Sequence, residues 1–196
     1  MNKSISNSTL SVFSIFFCLF VLSSGAKAQE NSIQKSFFGI QLGYIEAKAL
    51  YELRLAPKIS LRNEIGLEGS FGRTNGEATS YRLAPSLRVE PRWYYSINSR
   101  VKNGKSIDRN SGLYVSFPIT FRSPQYALSN SPIYSESNTL SFIPSWGFRK
   151  SFNKSLNFET GVGFGYLYSF KNANYHDYGA WTFNAHLRIG FDFRVR

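Results

Sequence analysis

Two histidines, His176 and His186, are the residues best suited to acid–base chemistry near neutral pH. His176 precedes Asp177 and lies between Tyr175 and Tyr178, in a polar stretch. His186 sits in an alternating run, six positions before Asp192 and about 20 Å from it if the run is a strand. Enzymes at a barrel rim can pair a His with Ser or Asp to cleave lipids or peptides, so a rim hydrolase using His176 is one reading. No nucleophile near it has a recognisable context, and a structural role for both histidines is the better expectation. Metal spacing is absent: the single cysteine, Cys18, lies in an N-terminal apolar run. Gly161, Gly163 and Gly165 alternate rather than forming a phosphate loop; small residues on a crowded face explain them. Neither a cofactor nor a metal is expected, and no catalysis.

More of the ionisable residues fall into a pattern. Glu52, Arg54, Arg62, Glu64, Glu68, Arg82, Arg88, Glu90, Arg92, Glu159, Arg188 and Asp192 all occupy the polar phase of alternating segments. Arg and Glu are mixed along that phase. Buried charges need partners, and guanidinium pairs with carboxylate in a planar, bidentate way. These twelve are therefore expected to form one charge network on a common inner face.

The elements that must carry them have period two. Trp181 to Val195 is the clearest: Trp181, Phe183, Ala185, Leu187, Ile189, Phe191, Phe193 and Val195 alternate with Thr182, Asn184, His186, Arg188, Gly190, Asp192 and Arg194. Seven further segments alternate in the same way, Phe37–Tyr44, Ala47–Leu55, Ile59–Phe71, Tyr81–Tyr95, Leu113–Phe121, Leu140–Phe148 and Leu156–Tyr168. No segment shows a convincing helical period. The link near Ile45-Glu46 has no turn residue, so one long bent strand is the alternative to a hairpin there. Pro85 and Pro91 each cost a ladder donor and share a face, so that strand is expected to bulge or lose pairing locally. Ser96–Ser111 is expected to be a long polar connection.

Eight strands of this length suit an all-β, eight-stranded, antiparallel up-and-down transmembrane barrel. The apolar phase is nearly free of charge. Aromatics gather near strand ends, at Tyr44, Tyr81, Trp93, Tyr95, Tyr166, Tyr168 and Trp181, as membrane interfaces favour. Glu90-Pro91-Arg92-Trp93-Tyr94-Tyr95 reads as a strand end with two charges inward and two aromatics in the girdle; a docking motif is the alternative. Eight strands leave an interior that side chains fill, so a plugged barrel is expected rather than a pore.

The N-terminus fits export. Lys3, the apolar run Leu10–Leu22 and Ala26-Lys27-Ala28 make residues 1–28 a signal peptide, with residues 29–36 a loose lead-in and 37–196 the barrel. Losing Lys3 and Lys27 leaves 21 basic against 12 acidic residues. Export and the even spread of charge argue against nucleic acid; an anionic lipid surface suits positive rims better. The expected location is the bacterial outer membrane, with its lipid as the main partner. Gly72–Ser80, Arg122–Asn138 and Lys171–Gly179 are candidate external loops, and Tyr126, Tyr134, Tyr175, His176 and Tyr178 in or beside the last two could bind an extracellular ligand or protein. The competing class is a soluble periplasmic barrel that binds a small ligand.

Gly39-Ile40-Gln41-Leu42-Gly43, Ser60 through Glu68, Glu90 through Tyr95 with Asn98 and Arg100, and Asn110-Ser111-Gly112 carry a family likeness. On these residues the chain resembles small outer-membrane barrels of the OmpX/OmpA type, especially uncharacterised ones common in Bacteroidetes. The resemblance covers nearly all of residues 29–196 and implies a scaffold, not an activity. It also implies recognition by the barrel-insertion machinery through a terminal aromatic. Phe193 stands nearest to that position, followed by Arg194-Val195-Arg196.

Overall fold

A computed structural model describes residues 31–72, 80–130, 137–152, 155–171 and 176–194. The signal peptide assigned to residues 1–28 lies outside them. The described chain forms one antiparallel barrel of eight staves. Four staves are single strands at the start: β1 (Ser36–Gly43), β2 (Glu46–Ala56), β3 (Ile59–Gly72) and β4 (Ser80–Trp93). The fifth is β5 (Gly112–Ser116) continued by β6 (Ile119–Arg122), with the short β7 (Leu128–Ser129) beyond. The sixth is β8 (Thr139–Phe142) continued by β9 (Ser145–Phe152). Then come β10 (Leu156–Ser169) and β11 (Tyr178–Arg194). The last strand closes on the first, Phe38 opposite Phe193 and Gly43 opposite Arg188. Ile45-Glu46 does make a hairpin: β1 and β2 pair from Ser36–Leu53 up to Gly43–Glu46.

The stagger sets the width. Ile40 pairs with Ala49, Ala49 with Ile65 and Ile65 with Leu87. Leu87 pairs with Phe121, Phe121 with Leu140, Leu140 with Tyr168 and Tyr168 with Gly179. On the register of the closing ladder, Gly179 stands opposite position 52, twelve residues up from Ile40. Over eight staves that shift tilts the strands by about 45° and gives a backbone radius of roughly 9 Å. Such a lumen has room for long side chains.

Proline explains why two staves are split. Pro91 O accepts from Phe117 N at 3.1 Å, Pro118 O from Ile143 N at 3.3 Å, and Pro144 O from Phe164 N at 3.2 Å. None of these prolines can return an N–H. They sit on successive staves, so the missing donors line up as a seam. Ser145 Oγ instead donates to Ile143 O, the carbonyl that faces Pro118, at 2.7 Å. The local loss of pairing expected for β4 occurs on one side only. The strand stays paired with β3 from Ile59–Trp93 to Gly72–Ser80. The interruptions lie on its other side, between the ladders to β5, β6 and β7.

Two connections are more structured than expected. Ser96–Ser111 holds a helix, α1 (Ile97–Lys102), and a 3-10 turn at Asp108–Asn110. Ile97 is buried with Tyr94, Tyr114 and Ile33, which seal the barrel end that carries the termini. The described part of the lead-in, residues 31–36, is therefore fixed rather than loose: Ile33 N donates to Pro57 O at 2.9 Å. Arg122–Asn138, expected as loop, contains a 3-10 turn at Pro124–Tyr126 and β7.

Candidate functional site in the barrel lumen

The inward phase of each strand meets in the lumen, and at its centre is Glu159 of β10, fully buried. Arg62 Nη1 of β3 donates to it at 2.9 Å and Arg149 Nη1 of β9 at 2.8 Å. Arg92 of β4 forks across both oxygens, at 2.8 Å and 3.1 Å. Arg188 of β11 stands 3.7 Å away. One carboxylate thus ties together staves from around the barrel. Arg149 also grips Asp192 at 2.6 Å, and Arg92 grips Glu90 at 3.0 Å. Gln41 takes a hydrogen bond from Arg62 and gives one to Asn157 at 2.7 Å.

Below this knot, Glu52 collects three neutral donors on one oxygen. They are Asn110 Nδ2 at 2.6 Å, Ser60 Oγ at 2.8 Å and the Tyr94 hydroxyl at 2.9 Å. Arg109 and Asn110 adopt positive φ, 44° and 61°, which turns the Asn110 side chain into the barrel. Asn is one of the residues that tolerates this conformation. Arg92 stacks on the Tyr114 ring, 4.2 Å from its centre. Tyr114 in turn lies over Gly147 of the neighbouring strand, where a Cβ would come within 2.4 Å of the ring. Burial pushes the Tyr94 phenol above its usual pKa, and the nearby Glu52 charge adds to the shift, so it remains a donor.

Above the knot a second group forms. Glu64 lies 2.6 Å from Arg62, 3.4 Å from Lys48 and 3.4 Å from Arg188. Lys48 bridges Glu46 at 3.0 Å and Glu68 at 2.6 Å, and Arg88 reaches Glu68 at 3.2 Å. Together the knot and this group hold Arg62, Arg92, Arg149, Arg188, Arg88 and Lys48 against Glu46, Glu52, Glu64, Glu68, Glu90, Glu159 and Asp192. That near balance is what lets so many charges leave water.

Toward the end away from the termini the lumen opens. One cavity of about 210 Å³ is lined by Arg88, Thr120, Arg122, Ser141, Asn184 and His186, among others. A second, of about 240 Å³, lies beside the β1–β2 hairpin. His186 Nε2 is 3.7 Å from Glu159, so its neighbour is that carboxylate rather than Asp192. Among the described residues no cluster of His, Cys, Asp and Glu could hold a metal ion.

The residues predicted for the network separate into two sets. Glu52, Arg62, Glu64, Glu68, Arg88, Glu90, Arg92, Glu159, Arg188 and Asp192 converge in the lumen as described. Arg54 instead anchors the lead-in, donating to Ser32 Oγ at 2.7 Å and Ile33 O at 3.0 Å. Arg82 is half-buried and further up β4. Of the loop residues, Tyr126, His176 and Tyr178 are exposed and Asp177 accepts from Tyr168 at 2.8 Å. Tyr134 and Tyr175 lie outside the described residues. Sequence reasoning missed Gln41, Glu46, Lys48, Tyr94, Asn110, Tyr114, Arg149 and Asn157 as network members. For all but Asn110 the signal was phase alone: each falls on or next to the polar side of an alternating run, whereas Asn110 sits in a 3-10 turn with no such pattern. Comparison with protein families, with curated proteins and with solved structures finds no match.

Proposed function

We propose that this chain is an exported outer-membrane barrel with a structural and surface-interaction role, whose lumen is stiffened by ion pairs and does not conduct. The observation that carries the reading is an inversion of solvents. Arg62, Arg92, Arg149 and Arg188 are almost wholly buried, while Phe38, Ile40, Leu42, Ile65, Phe164, Phe183 and Phe191 are each at least half exposed. A surface of that kind suits lipid. On the outward face of the described strands Lys150 is the single charge, and it lies near the terminal end with its ammonium 4.9 Å from the Phe152 ring. Long cationic side chains commonly reach out of lipid in this way. Tyr44, Trp93, Tyr95, Tyr178 and Trp181 supply exposed aromatics of the kind found at interfaces. The likeness to OmpX/OmpA-type barrels and the signal-like N-terminus agree with this reading. The exposed ends at Tyr126, His176 and Tyr178 are the surfaces that would meet an external ligand or protein.

Cell fractionation combined with planar-bilayer recording tests the proposal. The protein is expected in the outer-membrane fraction, to run differently on detergent gels before and after boiling, and to give no steady conductance. Recovery in the soluble periplasm would favour the small-ligand barrel instead. A stable open channel would overturn the plugged lumen.

A further inference from the structure

The barrel wall is not of even height. Gly43, at the top of β1, pairs with Arg188, and β2 starts at Glu46. Beyond that level β11 continues through Tyr178–Leu187, paired to β10 on one side. Among the described residues no strand pairs with its other side. The next tall stave is β3, which reaches Gly72 although its ladder with β2 stops at Glu68. The result is a notch two strands wide, floored by Tyr44-Ile45, where Gly69 N donates to Ile45 O at 2.7 Å. The 240 Å³ cavity lies just inside it.

Backbone direction along β11 alternates. Asp192 N donates to Ser155 O at 2.8 Å, and His186 O accepts from Thr160 Oγ1 at 3.1 Å. Even-numbered residues therefore address β10. Gly179, Trp181, Phe183, Ala185 and Leu187 turn their N–H and C=O groups into the notch. The side chains of Trp181, Phe183 and Leu187 point outward and are more than half exposed. On the bilayer reading given above, on which this inference rests, these backbone groups border hydrocarbon. Unpaired peptide groups are not tolerated there.

We propose that the notch is a docking site for an extended strand of another polypeptide, which adds antiparallel to β11 along Tyr178–Leu187. Acyl chains cannot supply the hydrogen bonds. A second copy pairing β11 with β11 would be related by a two-fold axis normal to the sheet, which turns one barrel upside down in the membrane. The lead-in is held at the opposite end by Ile33. The partner's chemistry follows from the two sides of the notch. Its outward residues extend the apolar row of Trp181, Phe183 and Leu187. Its inward residues are small and uncharged, because Glu46, Glu68, Arg88 and Arg188 behind the notch are already paired. Binding is thus strand addition, with backbone bonds giving affinity and alternation giving selectivity.

Hydrogen exchange on the purified protein, folded in phosphatidylcholine vesicles, tests this. The probe is a synthetic ten-residue peptide of alternating valine and threonine with lysines at both ends. Without peptide, the amides of Phe183 and Ala185 should exchange about 100-fold faster than those of Asn184 and His186. Peptide should slow the first pair at least about tenfold, with a change in Trp181 fluorescence. Ala185→Pro removes a notch donor and spares the β10 ladder, so it should weaken peptide binding about tenfold while the barrel still shifts on an unboiled gel. Equal binding by A185P, or full protection of Phe183 and Ala185 in vesicles without peptide, overturns the inference. The second result would mean that lipid or the chain itself covers the edge. A barrel that stays soluble without detergent sinks the bilayer reading instead, and the same exchange measurement in buffer still judges the notch.

Discussion

The side-chain amide of Asn110 donates to Glu52 Oε1 at 2.6 Å and so fastens the connection after β4 into the lumen. The same residue's Oδ1 accepts from Gln34 N at 2.8 Å. Asn110 therefore couples three separate segments through one amide.

Replacing Asn110 should loosen the sealed end. Asn110→Gly keeps the positive φ and loses both side-chain bonds, at an expected cost of about 1–3 kcal/mol. Asn110→Ala should cost more, because the backbone conformation is then strained as well. Urea unfolding in detergent micelles, followed by tryptophan fluorescence, gives the order of the two variants. A glycine variant as unstable as the alanine one would remove the backbone part of the argument.

Glu159 holds three guanidinium groups, and its loss should be felt throughout the barrel. Glu159→Gln leaves Arg62, Arg92 and Arg149 facing one another with too little negative charge. Breaking a buried pair in this way costs about 3–5 kcal/mol. The gel-shift temperature of the unboiled protein should fall clearly. Unchanged stability would show that the remaining carboxylates rearrange to cover the loss.

Val162, exposed on the outer face of β10, is a position at which a bilayer and water predict different outcomes. Val162→Arg should cost about 2–4 kcal/mol when the barrel is folded into vesicles, as for an arginine near the bilayer midplane. On a soluble barrel the same change at an exposed site should be worth less than about 0.5 kcal/mol. Folding free energies of the two proteins in vesicles decide between them.

Tyr114 and Gly147 form a fitted pair, and their variants should not be additive. Gly147→Val meets the tyrosine ring and should cost about 1–3 kcal/mol. In Tyr114→Ala the space is vacant, and the same valine should cost less. A double-mutant cycle reads the coupling directly. Simple additivity would mean that the ring can swing aside freely.

Much of the barrel is visible in the chain because each strand separates two environments, and that writes a period of two into the residues. The inward positions of Glu52, Arg62, Arg92 and Glu159 follow from phase alone. Arg149 escaped because the alternation recognised between Leu140 and Phe148 stops one residue short of it. Asn110 could not be read as a lumen residue: its role depends on two positive φ angles and on Glu52, far away in sequence. Ile33 looks like part of a polar tail until Tyr94 and Ile97 are seen to cover it. Pro85 and Pro91 announce lost pairing, but they do not say which neighbour loses it. That answer depends on which way each carbonyl points.

The proline seam has a consequence for how the molecule can change over time. Below Pro91, Pro118 and Pro144 lies a cup cross-braced by Glu159 and its arginines. Above them stands a collar, in which β7 and the tops of β8, β10 and β11 carry the exposed connections. Missing rungs at the boundary mean that distortion in the collar is poorly transmitted to the cup. Substitutions and insertions in the collar can therefore accumulate while the cup assembles as before, so that one foundation can support many different rims.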